Sequence, residues 1–383
     1  AFMNEFLKLI GVTDKQIDLF EGQYVVPEGM RYNSYILTDE KIAVFDTVDG
    51  HFTGEWLKNL EKELNGKTPD YLVVLHLEPD HSASITAFMQ KYPAATIVSS
   101  LKAFAMMKNY YGDEYENRRI VIAEGSTLPL GSHEITFVAA PMVHWPEVML
   151  AYETTDKLLF SADAFGKFGA TDSTDDWACE ARRYYFGIVG KYGVQVQSLL
   201  KKLADKPINA ILPLHGPVLE NNLGYYVNLY DKWSKYEAED EGVTIAYTSV
   251  YGHTKQAAER LAEELKTRGV TVAMHDLARC DMAEAVEDAF RYNKLVLATT
   301  TYNGDIFPFM RTFIDALTER NYQNRTIGFI ENGSWSSIAA KVMKGMLEKS
   351  KNISYTAAGV KITSAVSAAN LAEISALAEE LSK

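Results

Sequence analysis

Between residues 73 and 85 the chain reads VVLHLEPDHSASI, placing His76, Glu78, Asp80 and His81 within six residues after an apolar run. Imidazole and carboxylate are the side chains that hold transition metals of intermediate hardness, and this density of them points to a metal site. His76 and Glu78 lie two apart on a predicted strand end, so both face the same side. Pro79 stops the ladder and lets Asp80 and His81 turn back toward the same point. Three more candidates follow at predicted strand ends: His144 in APMVHWPE, Asp163 in LLFSADAFG and His215 in LPLHGP. The other four histidines, His51, His133, His253 and His275, lack this context and read as structural or surface residues with respect to a metal.

A second constellation lies in the last third of the chain. TSVYGHTK, 248–255, follows an apolar strand and opens a helix. Gly252 permits a tight turn, and the backbone N–H groups of Ser249, Val250, Tyr251, Gly252 and His253 can form an anion nest at a helix N-terminus. The hydroxyls of Thr248, Ser249 and Thr254 are candidate donors to phosphate, and no lysine is required, which separates this turn from a P-loop. Two later strand ends frame the same crevice, ATTTYNGDIFP (298–308) and ENGSWSSIA (331–339). They offer Thr299, Thr300, Thr301, Asn303, Gly304, Gly333 and Ser334 for hydrogen bonds, and Tyr302 and Trp335 as rings able to cover a flavin. The sequence leaves open which ring stacks. The first turn resembles the flavodoxin phosphate loop, and that resemblance, with three such loops and no G-x-G-x-x-G at the first turn, implies FMN rather than a dinucleotide.

The elements that must position these residues fall into two rhythms. To about residue 230, short strands alternate with turns and helices: 33–49 as two strands, then 71–78, 95–100, 133–141, 148–163 and 210–216, with helical periodicity at 53–64 and 192–204. A charged segment, DKWSKYEAEDEG (231–242), separates this region from five βα units. Their strands are predicted at 243–248, 270–275, 294–300, 326–331 and 353–360, and their helices at 254–268, 282–292, 307–320, 336–349 and 369–382. The expected division is 1–241 and 242–383, the second part a five-stranded, doubly wound parallel sheet of the α/β class.

The bulk properties fit. A chain of 383 residues with 47% hydrophobic and 23% charged residues can bury a substantial core. A net charge of −13 argues against nucleic acid or an anionic membrane surface as partner. The two cysteines, Cys179 and Cys280, form no C-x-x-C pair, so neither a disulfide framework nor a thiolate metal site is expected. AFMNEFLKLIGV lacks a basic n-region and a long apolar core, and no apolar run approaches a membrane span; the expectation is a cytoplasmic protein.

The order H-x-E-x-D-H, then His144, then Asp163 after LLFSAD, then a late LHG, is similar to the ligand order of the metallo-β-lactamase superfamily. That resemblance implies an N-terminal αβ/βα sandwich in which His76, Glu78 and His144 hold one metal, Asp80, His81 and His215 a second, and Asp163 bridges. Zinc hydrolases of the fold favour nitrogen-rich sites. Glu78 replaces an imidazole with a harder oxygen donor, which suits iron and supports its higher oxidation state.

With a flavodoxin-like loop set behind it, the whole chain resembles the flavodiiron proteins. The resemblance implies FMN, two irons, reduction of O2 to water or of NO to N2O, and a head-to-tail homodimer. Four electrons, two on the flavin and two on the irons, suffice for O2 and exceed the two that NO coupling needs. No four-cysteine rubredoxin module is visible, so an external electron donor is expected: rubredoxin, as in many relatives, or reduced F420, as in some archaeal ones. Two rivals remain, a binuclear zinc hydrolase with a flavodoxin-like regulatory domain and a flavin electron carrier with a vestigial metal domain.

Overall fold

The structure is a computed structural model that describes residues 4–383; the first three residues of the N-terminal run read above lie outside the described residues. It divides into two compact units, one made of the chain to Tyr185 with Val194–Asp231, the other of Phe186–Gly193 with Lys232–Lys383.

The first unit is built on two sheets. Six strands run in the order Leu7–Leu9, Tyr35–Thr38, Ile42–Phe45, Tyr71–Val73, Thr96–Ser100 and Arg119–Ile122, the first pairings antiparallel and the last three parallel. Five run Thr127–Pro129, Glu134–Ala139, Met149–Glu153, Leu158–Phe160 and Ala210–Leu212. The sheets pack through aromatic side chains: Phe45 of one stacks on Phe160 of the other at 3.9 Å between centroids, with Tyr35 edge-on at 5.6 Å. Helices cover the outer faces. Thr53–Leu64 buries Trp56, Leu60 and Leu64, one residue per turn on one stripe, and ends where Asn65 and Gly66 take left-handed conformations.

Three local readings need correction here. The strand predicted at 71–78 ends at Val73, and His76 and Glu78 lie in the segment beyond it. Pro79 does not merely stop a ladder; it is the first residue of the short helix Pro79–Ser82, a position where its missing N–H costs nothing. The single run 148–163 is a hairpin, Met149–Glu153 and Leu158–Phe160, turned at Thr154–Lys157, where the Glu153 carboxylate accepts the N–H groups of Thr155 and Asp156.

The second unit carries a parallel sheet in the order Val272–Asp276, Asp240–Tyr247, Tyr292–Tyr302, Thr326–Asn332, and then a fifth position shared by Ser354–Tyr355 and Val360–Ile362. Helices His253–Thr267 and Ala368–Leu381 bury Leu261, Leu265, Ile374 and Leu377 against Val243, Ile245, Val296 and Ile330. The fifth strand, predicted continuous over 353–360, is interrupted. Glu380 accepts the N–H groups of Ala357 and Ala358 at 2.8 and 2.9 Å, taking donors that would otherwise extend the ladder. The charged segment 231–242 is split between the end of the helix Leu223–Ser234, a turn and the start of the strand Asp240–Tyr247. Among the described residues no helix is long and apolar enough to cross a membrane.

Candidate functional site

All seven sequence-predicted metal candidates converge in the first unit. His76, Glu78, His144 and Asp163 present ligand atoms within 4.8 Å of one another, and Asp80, His81 and His215 do the same. Asp163 lies between them: its Oδ2 is 3.1 Å from His76 Nε2 and 3.0 Å from His144 Nε2, while its Oδ1 is 3.2 Å from His81 Nε2 and 3.6 Å from His215 Nε2. Glu78 Oε2 closes the first cluster at 3.2 Å from His76 and 3.0 Å from His144. Asp80 Oδ2 closes the second at 3.2 Å from His81 and 3.3 Å from His215.

Backbone and neighbouring side chains fix this arrangement. Asp46, at the end of its strand with φ 55°, accepts the N–H groups of Leu75 and His76 and so steers the segment that leaves Val73. Thr47 donates its N–H and its hydroxyl to the His81 carbonyl. Ser82 Oγ donates to the Leu77 carbonyl at 2.7 Å, closing the short helix back on the segment before it. Glu147 Oε1 takes the Nδ1–H of His76, and the Arg31 carbonyl takes that of His215. Both imidazoles therefore turn Nε2 toward the carboxylates.

Electrostatics favour positive charge at this point. Burial pushes the His144 and His215 imidazoles down, but neighbouring carboxylates lift each to about 9, Asp163 and Glu78 acting on His144 and Asp80 and Asp163 on His215. His76 is likewise raised, against burial, by Asp163, Glu147 and Glu78. Burial alone would raise Asp163, yet His76, His81 and His144 hold it well below the usual carboxylate range.

The donor set also fits metal on a geometric ground. His81 Nε2 and His215 Nε2 face each other at 3.0 Å, with the His215 proton committed to Nδ1. Asp80 Oδ1 and Oδ2 and Asp163 Oδ1 are buried without a hydrogen-bond partner. Lone pairs and unanswered carboxylate oxygens gathered this closely call for cations among them.

Sequence reasoning passed over Asp46 and Glu147, and it read Tyr184 and Tyr185 as core or pocket-wall residues without a chemical role. The Tyr184 hydroxyl is buried without a partner, its ring is 5.6 Å from that of His215, and its phenol is raised by burial and by the charges of Asp163, Glu78, Asp80 and Glu21. It is a wall of the centre that offers a free O–H donor.

In the second unit the three predicted loops meet at a cleft of about 510 Å³, lined among others by Ser249, Val250, Tyr251, His253, Thr254, Thr300, Thr301, Tyr302, Asn303, Gly304, Gly333, Ser334 and Trp335. Gly252 holds φ 98° just before the helix His253–Thr267, and its N–H donates to Ser249 Oγ at 3.0 Å. Two candidate donors are placed elsewhere. Thr248 and Thr299 are fully buried and bonded to each other at 2.5 Å, because they sit one step back on adjacent strands, beneath the loops. Asn332, Ser336 and Ser364 line the cleft and were not anticipated. Asn332 donates to Thr254 Oγ1 and to the Ser364 carbonyl and accepts the Ser364 N–H, tying a fourth loop to the first. Tyr251, Trp335 and Tyr302 stand exposed at the rim. Among the described residues the lining holds no acidic side chain and Thr300 Oγ1 has no partner, which suits an anionic, hydrogen-bonding ligand with a flat apolar body.

Both parts of the chain match known families. Residues 30–216 match the family described as ODP family beta lactamase, and residues 244–360 match the Flavodoxin domain. The rubredoxin oxygen:oxidoreductase of Desulfovibrio gigas superposes with a TM-score of 0.92 at 25% identity, covering 100% of this chain and 97% of that one. Over essentially its whole length the chain is therefore similar to proteins that join a beta-lactamase-like domain to a flavodoxin domain. The flavodiiron protein of Giardia intestinalis shares the fold, with a TM-score of 0.93 at 24% identity over 99% of this chain and 95% of that one. Among curated relatives, the anaerobic nitric oxide reductase flavorubredoxin of Salmonella arizonae is 29% identical over 88% of this chain and 73% of its own length.

Proposed function

We propose that this chain is a flavodiiron oxidoreductase that reduces O2 to water, NO to N2O, or both, at a non-haem diiron site, using FMN and an external electron donor. The observation that carries the reading is the Asp163 carboxylate, one oxygen directed to the His76, Glu78 and His144 cluster and the other to the Asp80, His81 and His215 cluster. On this reading the first cluster would hold one iron and the second the other, with Asp163 placed between them to serve both. Four imidazoles with three carboxylates suit iron better than the nitrogen-rich sites of zinc hydrolases. The relatives' names speak of rubredoxin and oxygen in one case and of nitric oxide in the other, which supports both substrates.

When bound, the irons and the flavin would supply between them the electrons for the reduction. The chain's own contribution is to hold the centre in a pocket walled by Phe20, Tyr32 and Tyr184, whose rings lie 5.4, 6.1 and 5.6 Å from that of His215. The Tyr184 O–H is available there as a hydrogen-bond donor. In the second unit, the loop at Ser249–Thr254 would take the flavin phosphate at the helix N-terminus, while the 300–304 and 332–336 loops, with Ser364, would line the cleft around the ring system. A functional division at 1–241 and 242–383, a head-to-tail homodimer, rubredoxin or reduced F420 as donor, and a cytoplasmic location complete the proposal. The division is supported by the flavodoxin match beginning at residue 244; the rest follows from family resemblance.

An anaerobic reductive titration tests this reading. Uptake of four electrons per chain, two of them beyond bleaching of the flavin, is the expected result. Two electrons, all on the flavin, would overturn it and return the zinc hydrolase to the front.

A further inference from the structure

Two loops carry the imidazoles of the first cluster, and one buried side chain joins them. Glu147 follows His144 by three residues and is fully enclosed. Its Oε1 accepts the Nδ1–H of His76 at 2.8 Å and the backbone N–H of Leu77 at 2.7 Å. On either side the same loop is tied down by backbone contacts: Ser100 Oγ donates to the Glu147 carbonyl at 3.1 Å, and the Met149 N–H to the Leu75 carbonyl at 3.1 Å. The loop is therefore anchored without the carboxylate.

The carboxylate itself is poorly answered, since Oε2 has no hydrogen-bond partner. A buried anion in that state is unfavourable unless its charge is used. Among the described residues, the ionisable group it touches is His76. The second cluster receives no equivalent: His215 Nδ1 meets a neutral carbonyl, and His81 Nδ1 is buried without a partner. The two clusters thus differ in what stands behind their imidazoles.

We propose that Glu147 is a positioning residue that fixes the His76 tautomer and strengthens its Nε2 as a donor, making the His76, Glu78 and His144 position the tighter of the two metal positions. The proposal rests on the diiron reading. A carboxylate behind a ligating imidazole raises its basicity, and loss of such a partner typically weakens metal binding by about 10–100-fold.

The test starts from FMN-loaded protein stripped of metal and titrated anaerobically with ferrous iron against a competing chelator. Wild type should fill in two resolved steps. Glu147→Gln, which keeps the shape and an acceptor oxygen but loses the charge, should weaken the tighter step by roughly 10–100-fold. The weaker step should stay within about threefold, with flavin content and the melting temperature of the metal-free protein unchanged. The midpoint potential of one iron should also rise, because the oxidised metal loses the charge behind its ligand. Glu147→Leu, which cannot accept the His76 proton at all, should weaken the same step further. Equal binding by wild type and Glu147→Gln, or equal weakening of both steps, would overturn the proposal, even in a variant of lowered stability, since the two steps are compared within one protein. Two steps filled by zinc but not by iron would overturn the diiron reading instead, and Glu147→Gln would then be compared on zinc. Wild type that holds no metal would overturn both.

Discussion

At the scale of single residues, the chemistry turns on where carboxylates stand among imidazoles. Glu78 Oε2 lies within 3.2 Å of both His76 and His144, and Asp163 reaches all four ligand-candidate imidazoles. Removing Glu78 subtracts one donor from one cluster; removing Asp163 subtracts the group shared by both. Glu78→Ala is therefore expected to lose about one of two irons and Asp163→Ala most of both, with turnover falling by roughly a hundredfold or more in each. FMN content should be unchanged, since the flavin cleft belongs to the other unit. Iron and flavin stoichiometries on the purified variants decide it; full iron with full turnover in both would remove these residues from the site.

At the scale of elements, the flavin cleft is a property of strand ends and one helix start. Gly252 caps the helix His253–Thr267 with φ 98°, a conformation that any side chain would strain. Thr254 is buried, its hydroxyl held by Asn332, so it locks the 332–336 loop to the phosphate turn. The double variant Gly252→Asp with Thr254→Ala should cost backbone strain, place a negative charge at the anion nest and free the fourth strand end. Flavin bound per chain is expected to drop at least tenfold, and donor-driven turnover with it, while the irons, reduced chemically, still react once. A double variant that keeps its yellow colour would show that the phosphate sits elsewhere.

At the scale of the whole molecule, the first unit's two sheets are clasped where two of their turns meet. Asp39, between Tyr35–Thr38 and Ile42–Phe45, accepts from His133 Nδ1 at 2.7 Å, from the His133 N–H at 2.8 Å and from Ser132 Oγ at 2.9 Å; all three lie on a turn of the other sheet. Gly131 permits that approach, since a Cβ there would sit 2.6 Å from Asp39 Oδ1. Burial raises the Asp39 carboxyl, but these bonds outweigh it and hold it at about 2. Burial lowers the His133 imidazole, but Asp39, Glu153 and Asp156 raise it on balance. The depressed carboxyl contributes stability above its ordinary pKa near 4, lost as pH falls toward 2; the raised imidazole contributes below its ordinary pKa near 6.5, lost as pH climbs through its folded value. The gap in unfolding midpoint between wild type and Asp39→Asn should thus be widest between about pH 4 and 6.5, on the order of 2–4 °C, and narrow on both sides. A gap that does not vary with pH would mean the clasp is not ionic.

What the sequence determined by itself is whatever neighbours in the chain express. His76, Glu78, Asp80 and His81 sit in one six-residue stretch, and the turn before His253–Thr267 announces its Gly252; short spacing leaves such groups little choice of direction. Alternating βα rhythm likewise carried the parallel sheet, because each unit repeats one local pattern. Strand continuity was less legible, since the break before Val360–Ile362 depends on Glu380, 22 and 23 residues past the N–H groups it takes. The supporting residues were not legible at all. Glu147 meets His76 across 71 positions, Asp46 meets Leu75 across 29, and Ser364 meets Asn332 across 32. Thr248 and Thr299 looked like ligand donors until strand register set them 2.5 Å apart. A hydrogen bond is a contact of about 3 Å, and only tertiary packing decides which distant groups reach that distance and which buried atoms are left without a partner.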